Sequence, residues 1–273
     1  IVFSPIFHNF FIKLSYTTNI LSERMNAMTE PIKEGSALIH GANIHYRIYG
    51  NGPKTLLLLH GNGEDGHCFD KQIPDLSKYF QVITMDSRGH GLSERGPEPL
   101  TLDQMSIDAI ELLKYLRVKS ASVLGFSDGA NIAMLMALKS VYPIEKLVLA
   151  GGNLYPMGVK PSCQLPTILG YGICSLIAKF DKKARTKAEI LGLMVKEPRI
   201  NPDSLGRITA PALILAGERD MIKDKHTKLI ARSLPKSTLT IIPKASHFVF
   251  GKWAEQTNEV VLNFLRSDSK TVP

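Results

Sequence analysis

The sequence predicts an α/β fold in which a mostly parallel sheet is covered by helices on both faces. Short apolar runs typical of buried strands alternate along the chain with longer stretches typical of helices. The chain has 273 residues, of which 44% are hydrophobic, so it is long enough for one α/β domain with a sizeable core. A lone serine also stands between two glycines where one of these strands passes into a helix.

The predicted elements follow one another in a regular order. A turn at Gly41-Ala42-Asn43 joins two strands in a hairpin. Helical stretches cover Leu102 to Leu116 and Trp253 to Leu265. The other strands are predicted near residues 55–60, 81–86, 121–126, 144–150, 211–217 and 237–242. No internal repeat and no low-complexity tract interrupts this order.

The segment Gly125-Phe126-Ser127-Asp128-Gly129 has the G-x-S-x-G pattern of a nucleophile elbow. A serine hydroxyl that attacks a carbonyl must be exposed and free of neighbouring bulk, and the two glycines meet that steric demand. The backbone N–H of Asp128, at the helix start, would face a developing oxyanion. Such a short match is weak alone, but the strand before it and the helix after it favour a nucleophile over a plain strand-turn-helix.

The chain supplies an acid and a base in the order that this elbow requires, with the acid before the histidine. Asp220 follows the strand at 211–217, and His247 follows the strand at 237–242. The carboxyl ends of parallel strands meet at one edge of a sheet, so both residues are expected near Ser127.

Each of these residues has rivals in the sequence. Glu218 and Asp224 compete with Asp220 for the role of the acid, and His60 and His90 compete with His247 for the role of the base. We expect His60 to brace a neighbouring loop by hydrogen bonding and His90 to pack in its glycine-flanked loop. Asp220 and His247 are the favoured pair.

With these motifs the chain resembles the serine hydrolases of the α/β-hydrolase fold superfamily, from about Ser36 to Arg266. Two more segments match that family: the oxyanion loop at His60-Gly61-Asn62 and a structural loop at residues 86–93. The residue after His-Gly lends its backbone N–H to the oxyanion hole in relatives. The resemblance therefore implies a triad of Ser127, Asp220 and His247, with the N–H groups of Asn62 and Asp128 as oxyanion donors.

The resemblance also implies a domain organisation. We expect an α/β-hydrolase domain over residues 36–268, with a small helical cap inserted at about 153–206, where relatives carry one. The cap has an apolar stretch at 167–178. This stretch is shorter than the roughly 20 residues that cross a bilayer, so it is expected to form a lid helix over an acyl pocket. Residues 1–35 are expected to form a poorly ordered extension.

The activity implied by this triad is hydrolysis of a small-molecule carboxylic ester, or of an amide or thioester, through an acyl-enzyme. Two alternatives stay open. One is a carbon–carbon bond hydrolase or lyase that uses the same triad on a keto acid. The other is a ligand-sensing protein with slow turnover. No metal and no organic cofactor is implied, because Cys68, Cys163 and Cys174 lie in no CxxC or histidine-rich pattern.

The carboxylate of Asp128 has two interpretations. The pairing Ser-Asp-Gly resembles that of family members that cleave amino-acid esters, so the side chain could bind a substrate ammonium group near the scissile carbonyl. Alternatively, it complements the positive N-terminus of its helix and turns away from substrate. The sequence favours the second interpretation slightly.

The charge of the chain says little about partners. The formal net charge is +8, and a basic run at 182–187 could attract anionic substrates or a membrane surface. A solvated helix face is the preferred interpretation, and no nucleic-acid motif accompanies the charge. Three cysteines without a disulfide spacing suit a reducing cytoplasm.

The first residues are interpreted separately. Residues 1–12 are apolar, but they lack the basic region and the cleavage site of a signal peptide. An upstream extension foreign to the native chain is the first interpretation, and a membrane-associating segment is the second, so no membrane contact is expected from this segment.

Overall fold

The computed structural model describes residues 30–267, with the side chains of Lys182 and Lys183 excepted. The predictions for residues 1–29 and for the last residues of the chain lie outside the described residues. The strands are β1 (Lys33–Ile39), β2 (Ala42–Tyr49), β3 (Lys54–Leu59), β4 (Phe80–Met85), β5 (Ala121–Phe126), β6 (Ile144–Ala150), β7 (Ala212–Arg219) and β8 (Ser237–Ser246). The α-helices are α1 (Ile73–Leu76), α2 (Leu102–Tyr115), α3 (Asp128–Lys139), α4 (Pro161–Ile177), α5 (Lys182–Lys196), α6 (Asp224–Ser233) and α7 (Ala254–Arg266).

The eight strands form one sheet in the order β1-β2-β4-β3-β5-β6-β7-β8. β2 pairs antiparallel with β1 and with β4, and every other neighbouring pair is parallel. Parallel neighbours need crossover helices, and these cover both faces of the sheet. The predicted α/β fold with a mostly parallel sheet is therefore confirmed.

The core lies in two layers, one on each face of the sheet. On β3, Leu57 and Leu59 belong to the layer under α2 and α3, and Leu56 and Leu58 belong to the layer under α1 and α7. All four leucines are fully buried. Side chains alternate between the two faces of a strand, so a continuous apolar run is what a central strand buried on both faces requires.

Two strands extend further than the sequence indicates. β7 runs to Arg219 and β8 runs to Ser246, and Arg219 pairs with Ser246 across a register shift. Asp220 and His247 are therefore the first residues after two neighbouring paired strands. This brings them to one edge of the sheet.

Helices α4 and α5, which we call the cap, lie between β6 and β7 in the chain. Three polar contacts join α5, or Glu197 directly after it, to the main domain. Arg95 pairs with Glu189 at 2.9 and 3.1 Å, the N–H of Leu102 donates to Glu197 Oε2 at 2.8 Å, and Asn62 Nδ2 donates to the carbonyl of Ile190 at 2.8 Å. Apolar packing adds to these contacts, because Leu193 of α5 belongs to the core layer under α2 and α3.

The orientation of α4 differs from the expected lid helix over a pocket. Its most exposed side chains are apolar, whereas Gln164 is its only buried residue and donates to the carbonyl of Met194 on α5. Tyr171, on the same side, lies beneath Lys196 Nζ at 4.9 Å. These polar contacts with α5 orient the helix, so the apolar residues turn outward. Within residues 30–267, no helix combines the length and the apolar character needed to cross a membrane.

Candidate active site

Ser127 lies in the tight turn between β5 and α3. Its φ of 53° and ψ of −116° are values that non-glycine residues rarely adopt. The flanking glycines are required by close approach: a Cβ on Gly125 would come within 2.1 Å of the Gly129 carbonyl oxygen, and one on Gly129 within 1.9 Å of the Leu59 carbonyl oxygen. The two glycines therefore let β3, β5 and α3 meet around the serine.

Ser127, His247 and Asp220 form a chain of hydrogen bonds. Asp220 Oδ1 lies 2.7 Å from His247 Nδ1, and His247 Nε2 lies 3.1 Å from Ser127 Oγ. The carboxylate can only accept, so Nδ1 carries the proton and Nε2 is free to accept the serine hydroxyl proton. The structure thus brings together the serine, the acid and the base that the sequence favours, in the geometry of an activated nucleophile.

Asp220 is held as a carboxylate. Burial alone would raise the pKa of Asp220, but the hydrogen bond and charge of His247, with the N–H groups of Ile222 and Gly217, outweigh it and hold the pKa below its usual value. Its rivals lie elsewhere. Glu218 is exposed and accepts from the N–H of Lys244, and Asp224 is exposed in the first turn of α6.

His247 is fixed by close packing. The residue facing it from the end of β6 is Gly151, where a Cβ would come within 2.7 Å of the imidazole Cε1. The rings of Phe126 and Phe248 lie 5.1 and 5.6 Å from the imidazole centroid. The ring has little room to turn, which keeps Nε2 directed at Ser127.

The loop after β3 has the geometry of an oxyanion donor. His60 Nε2 accepts from the N–H of Ser87 at 2.9 Å, so Nδ1 carries the proton and donates to the Gly61 carbonyl at 2.7 Å. Burial lowers the pKa of His60 to about 4, which keeps the ring neutral. The same peptide unit ends in the Asn62 N–H, which points away from that carbonyl and has no acceptor within residues 30–267. The Asp128 N–H likewise has no partner inside its helix, because it belongs to the first turn.

The Asp128 carboxylate is buried behind the serine and joined to two amides. Oδ2 accepts from Asn62 Nδ2 at 3.0 Å, and Oδ1 accepts from Asn131 Nδ2 at 3.3 Å. Burial raises the pKa of Asp128 to about 6, although both amide hydrogen bonds act to lower it. No salt bridge compensates this carboxylate in the described part of the chain. Both of its oxygens are in contact with the protein, and each keeps acceptor capacity for a further donor.

Two residues of this region escaped the sequence analysis. Glu64 Oε2 accepts from the N–H of Gly61 at 3.1 Å, burial raises the pKa of its carboxyl, and the charge of His247 acts to lower it. Asn131 donates to Asn153 Oδ1 and accepts from the Asn153 N–H. Asn131 could have been found, because it lies one helical turn after Asp128. Glu64 gave no comparable signal.

Metal ligation has no candidate in the described part of the chain. Within residues 30–267, no group of three His, Cys, Asp or Glu side chains could hold a metal ion. Cys68, Cys163 and Cys174 are free thiols. Burial raises the pKa of the Cys68 thiol far above its usual value, so Cys68 is a poor nucleophile and a poor ligand.

The fold and this site agree with comparisons against known proteins. The family model of the α/β hydrolase fold matches residues 54–168. A hydrolase from Pseudomonas aeruginosa PA01 has a similar structure, with a TM-score of 0.71 and 27% identity, covering 87% of this chain and all of that one. The chain belongs to the α/β-hydrolase fold superfamily.

Curated relatives resemble the chain over most of its length. Serine hydrolase BPHL from Homo sapiens is 27% identical over 260 residues, which cover 86% of this chain and 87% of the relative. A 2-hydroxy-6-oxononadienedioate/2-hydroxy-6-oxononatrienedioate hydrolase from Dechloromonas aromatica is 27% identical, covering 92% of this chain and 99% of that protein. These relatives are hydrolases, and the chain is a hydrolase of the same fold.

Proposed function

We propose that the chain is a serine hydrolase that cleaves a small carboxylic ester through an acyl-enzyme, with an amide or thioester as further substrates of the same chemistry. The observation that carries the proposal is the continuous hydrogen-bond chain from Asp220 through His247 to the Ser127 hydroxyl. It gives the serine a base and gives the base a fixed orientation.

The mechanism follows from this geometry. His247 Nε2 takes the hydroxyl proton as Ser127 Oγ attacks the ester carbonyl, and the resulting imidazolium is stabilised by Asp220. The N–H groups of Asn62 and Asp128 hold the oxyanion, and one such donor contributes about 3 kcal/mol to lowering the barrier. His247 then protonates the leaving alcohol. Water, deprotonated by the same nitrogen, releases the acid and restores the enzyme.

A fluorophosphonate probe tests the nucleophile. We expect stoichiometric labelling of the wild-type protein at Ser127, and none in Ser127→Ala. The substitution should lower kcat for an activated ester by about 10⁶ without changing Tm, since it removes only the attacking oxygen. Labelling at another residue, or a wild-type protein that resists the probe, would contradict the proposal and favour a ligand-sensing role.

The charges of the site favour an ester over a keto acid as substrate. The Dechloromonas relative acts on a dioate, and a dianionic substrate needs cationic partners. Here two carboxyls lie at the site: buried Asp128 directly follows Ser127, and half-buried Glu64 accepts from the N–H of Gly61. A Cβ on Gly61 would meet both Glu64 and Ser127, so the Glu64 carboxyl is near the serine. An anion placed beside them would be repelled. A chromogenic ester and a vinylogous diketone separate the two reactions, and faster carbon–carbon cleavage would favour the keto-acid alternative.

We further propose that Asp128 gives a preference for esters with an ammonium group near the scissile carbonyl. Its carboxylate is buried without a cationic partner, and burial raises its pKa to about 6. An ammonium group would supply the missing charge through a charge-assisted hydrogen bond.

The comparison that tests this preference is the ratio of kcat/KM for an α-amino ester over its uncharged analogue. A gain of roughly 10- to 150-fold corresponds to the strength of one such bond. The ratio should fall toward one in Asp128→Asn. A ratio near one in both proteins would leave Asp128 with the structural role only.

A further inference from the structure

The outer face of α4 is a continuous apolar surface. Six side chains are between 49% and 92% exposed. Five of them recur along the helix at a spacing that places them on one side, and the sixth, Phe180, lies in the turn that follows. We call them the apolar stripe: Leu165, Leu169, Ile173, Leu176, Ile177 and Phe180. Single exposed apolar residues are common in proteins, but a contiguous row of this kind marks an interaction surface.

The inner face of the same helix is polar, which is the reverse of an ordinary surface helix. Gln164 is buried and donates to the Met194 carbonyl, and Thr167 Oγ1 donates to the Cys163 carbonyl. The Tyr171 ring lies beneath Lys196 Nζ. The polar groups of this side are thus satisfied by α5 or, for Thr167, within α4 itself, whereas the apolar side of α4 is exposed.

Positive charge collects at one end of the stripe. Residues 161–178 contain no charged side chain, whereas residues 179–187 contain five basic residues and one acid. Lys179, Arg185 and Lys187 are exposed. The cap acids are engaged elsewhere: Asp181 caps the start of α5, Glu189 pairs with Arg95, and Glu197 accepts from Leu102.

We propose that the apolar stripe docks the cap on an anionic lipid surface. The helix has 17 residues, fewer than the roughly 20 that span a bilayer, so it lies in the plane of the interface with its apolar side toward the acyl chains. Lys179, Arg185 and Lys187 contact anionic headgroups. A second copy of the chain is a poorer occupant. Two caps packed in parallel would bring their basic ends together, and two packed antiparallel would set each basic end against the uncharged residues 161–178, where it meets no opposite charge.

Docking of this kind places the active site at the membrane. Asn62 donates to the Ile190 carbonyl on α5 and to Asp128 beside the serine, so the cap and the oxyanion loop are joined by one side chain. The docked cap would then lie between the lipid surface and Ser127, and the enzyme would be held near esters that concentrate at that surface.

Flotation of the 273-residue chain with vesicles tests the proposal. We expect binding to vesicles in which about a third of the phosphatidylcholine is replaced by phosphatidylserine, because these carry the negative surface charge of an anionic leaflet. Binding should be weaker to phosphatidylcholine alone and weaker at high salt. The double substitution Leu169→Glu and Leu176→Glu should lower binding at least about tenfold, since it places charges on the membrane side of the helix.

The matched control is Leu38→Glu. Leu38 is a similarly exposed leucine on β1, at the far edge of the sheet, and its substitution should leave vesicle binding unchanged. Hydrolysis of a small soluble ester checks that each variant is folded. If the double variant loses that activity, Lys179→Gln, Arg185→Gln and Lys187→Gln together provide a second test, which should reduce binding to the anionic vesicles only.

Three results would overturn the proposal. The first is a wild-type chain that does not float with either vesicle. The second is a folded double variant that binds as well as wild type, which would assign the binding to another segment. The third is a wild-type dimer in size-exclusion chromatography that the double variant converts to a monomer without any change in vesicle binding, which would assign the stripe to a contact between copies.

Discussion

The sheet and the cap bury their residues in opposite ways. All six residues of β5 are buried, whereas α4 buries one residue of 17. The polar groups of the site at the end of the sheet are held by short hydrogen bonds such as that between Asp220 and His247. In the cap, α5 reaches the core through Leu193, whereas α4 lies on α5 through groups such as Gln164. Changes at the edge of the sheet should therefore alter the chemistry for every substrate, and changes in the cap should alter which substrates enter.

Among the changes that distinguish the edge of the sheet from the cap, we expect substitution of Asp220 to have the largest effect on kcat. Asp220→Asn should lower kcat for all esters by a similar factor, on the order of 10⁴, the size of the loss when the orienting aspartate of a serine protease is replaced by asparagine. The amide misorients His247 instead of removing it, so the loss should not exceed that of Ser127→Ala. Steady-state kinetics with one small and one bulky ester measure it.

Glu218→Gln is the matched control for this prediction. Glu218 lies two residues from Asp220 but is exposed and bonded to the N–H of Lys244. It should keep full activity. Loss of activity in Glu218→Gln or in Asp224→Asn, with Asp220→Asn active, would reassign the acid.

The next largest effect is on the free energy of unfolding and comes from buried Asp128, at the edge of the sheet. Burial raises the pKa of Asp128 from 3.8 to about 6. Between pH 3.8 and about 6, Asp128 is therefore still protonated in the folded protein but has already lost its proton in the unfolded chain. This contribution to stability is fully present below pH 3.8 and is lost as the pH rises through 6. The shift corresponds to about 3 kcal/mol of unfolding free energy.

Urea unfolding of wild type and Asp128→Asn from pH 4 to pH 7 measures this contribution. Wild type should lose stability relative to the variant as the pH rises. The difference between the proteins is needed because His60, whose pKa is lowered to about 4 by burial, acts with the opposite sign in the same range. A difference that does not change with pH would mean that the Asp128 pKa is not raised.

The sequence predicts the sheet well and the cap poorly for one physical reason. The burial of Leu56 to Leu59 can be predicted from these four residues alone, because only a strand covered on both faces needs apolar residues at every position. The positions of Asp220 and His247 near Ser127 could also be predicted, because each follows a strand and the carboxyl ends of parallel strands meet at one edge of the sheet. The order of the sheet supplies that convergence without any knowledge of side-chain contacts.

What could not be predicted depends on tertiary contacts. The apolar composition of α4 indicates a helix but not which side of it faces the protein, and that side is set by bonds such as Gln164 to Met194. The Asn62 side chain likewise bridges Asp128 and Ile190, residues far from it in the chain. Glu64 belongs to the site because the loop after β3 turns back and its carboxylate accepts from the N–H of Gly61, a contact that the sequence does not reveal.

The smallest effect is expected where the cap meets the main domain. The Arg95–Glu189 pair joins the two regions, and each side chain is about one-third exposed. Such pairs contribute roughly 0.2–1 kcal/mol, so Arg95→Ala should change kcat/KM for a bulky ester only a few-fold. The change should appear in KM, because a loosened cap alters the entrance and leaves the hydrogen-bond chain to Ser127 in place. Activity toward an acetyl ester should stay the same.

Lys114→Ala supplies the control for that last comparison. Lys114 forms a surface pair with Glu111 on α2, away from the cap, so its loss should leave both esters unaffected. Equal changes for the acetyl and the bulky ester in Arg95→Ala would mean that the pair supports the active site itself. In that case the cap and the sheet edge would act as one unit, and the division between chemistry and access would not hold for this protein.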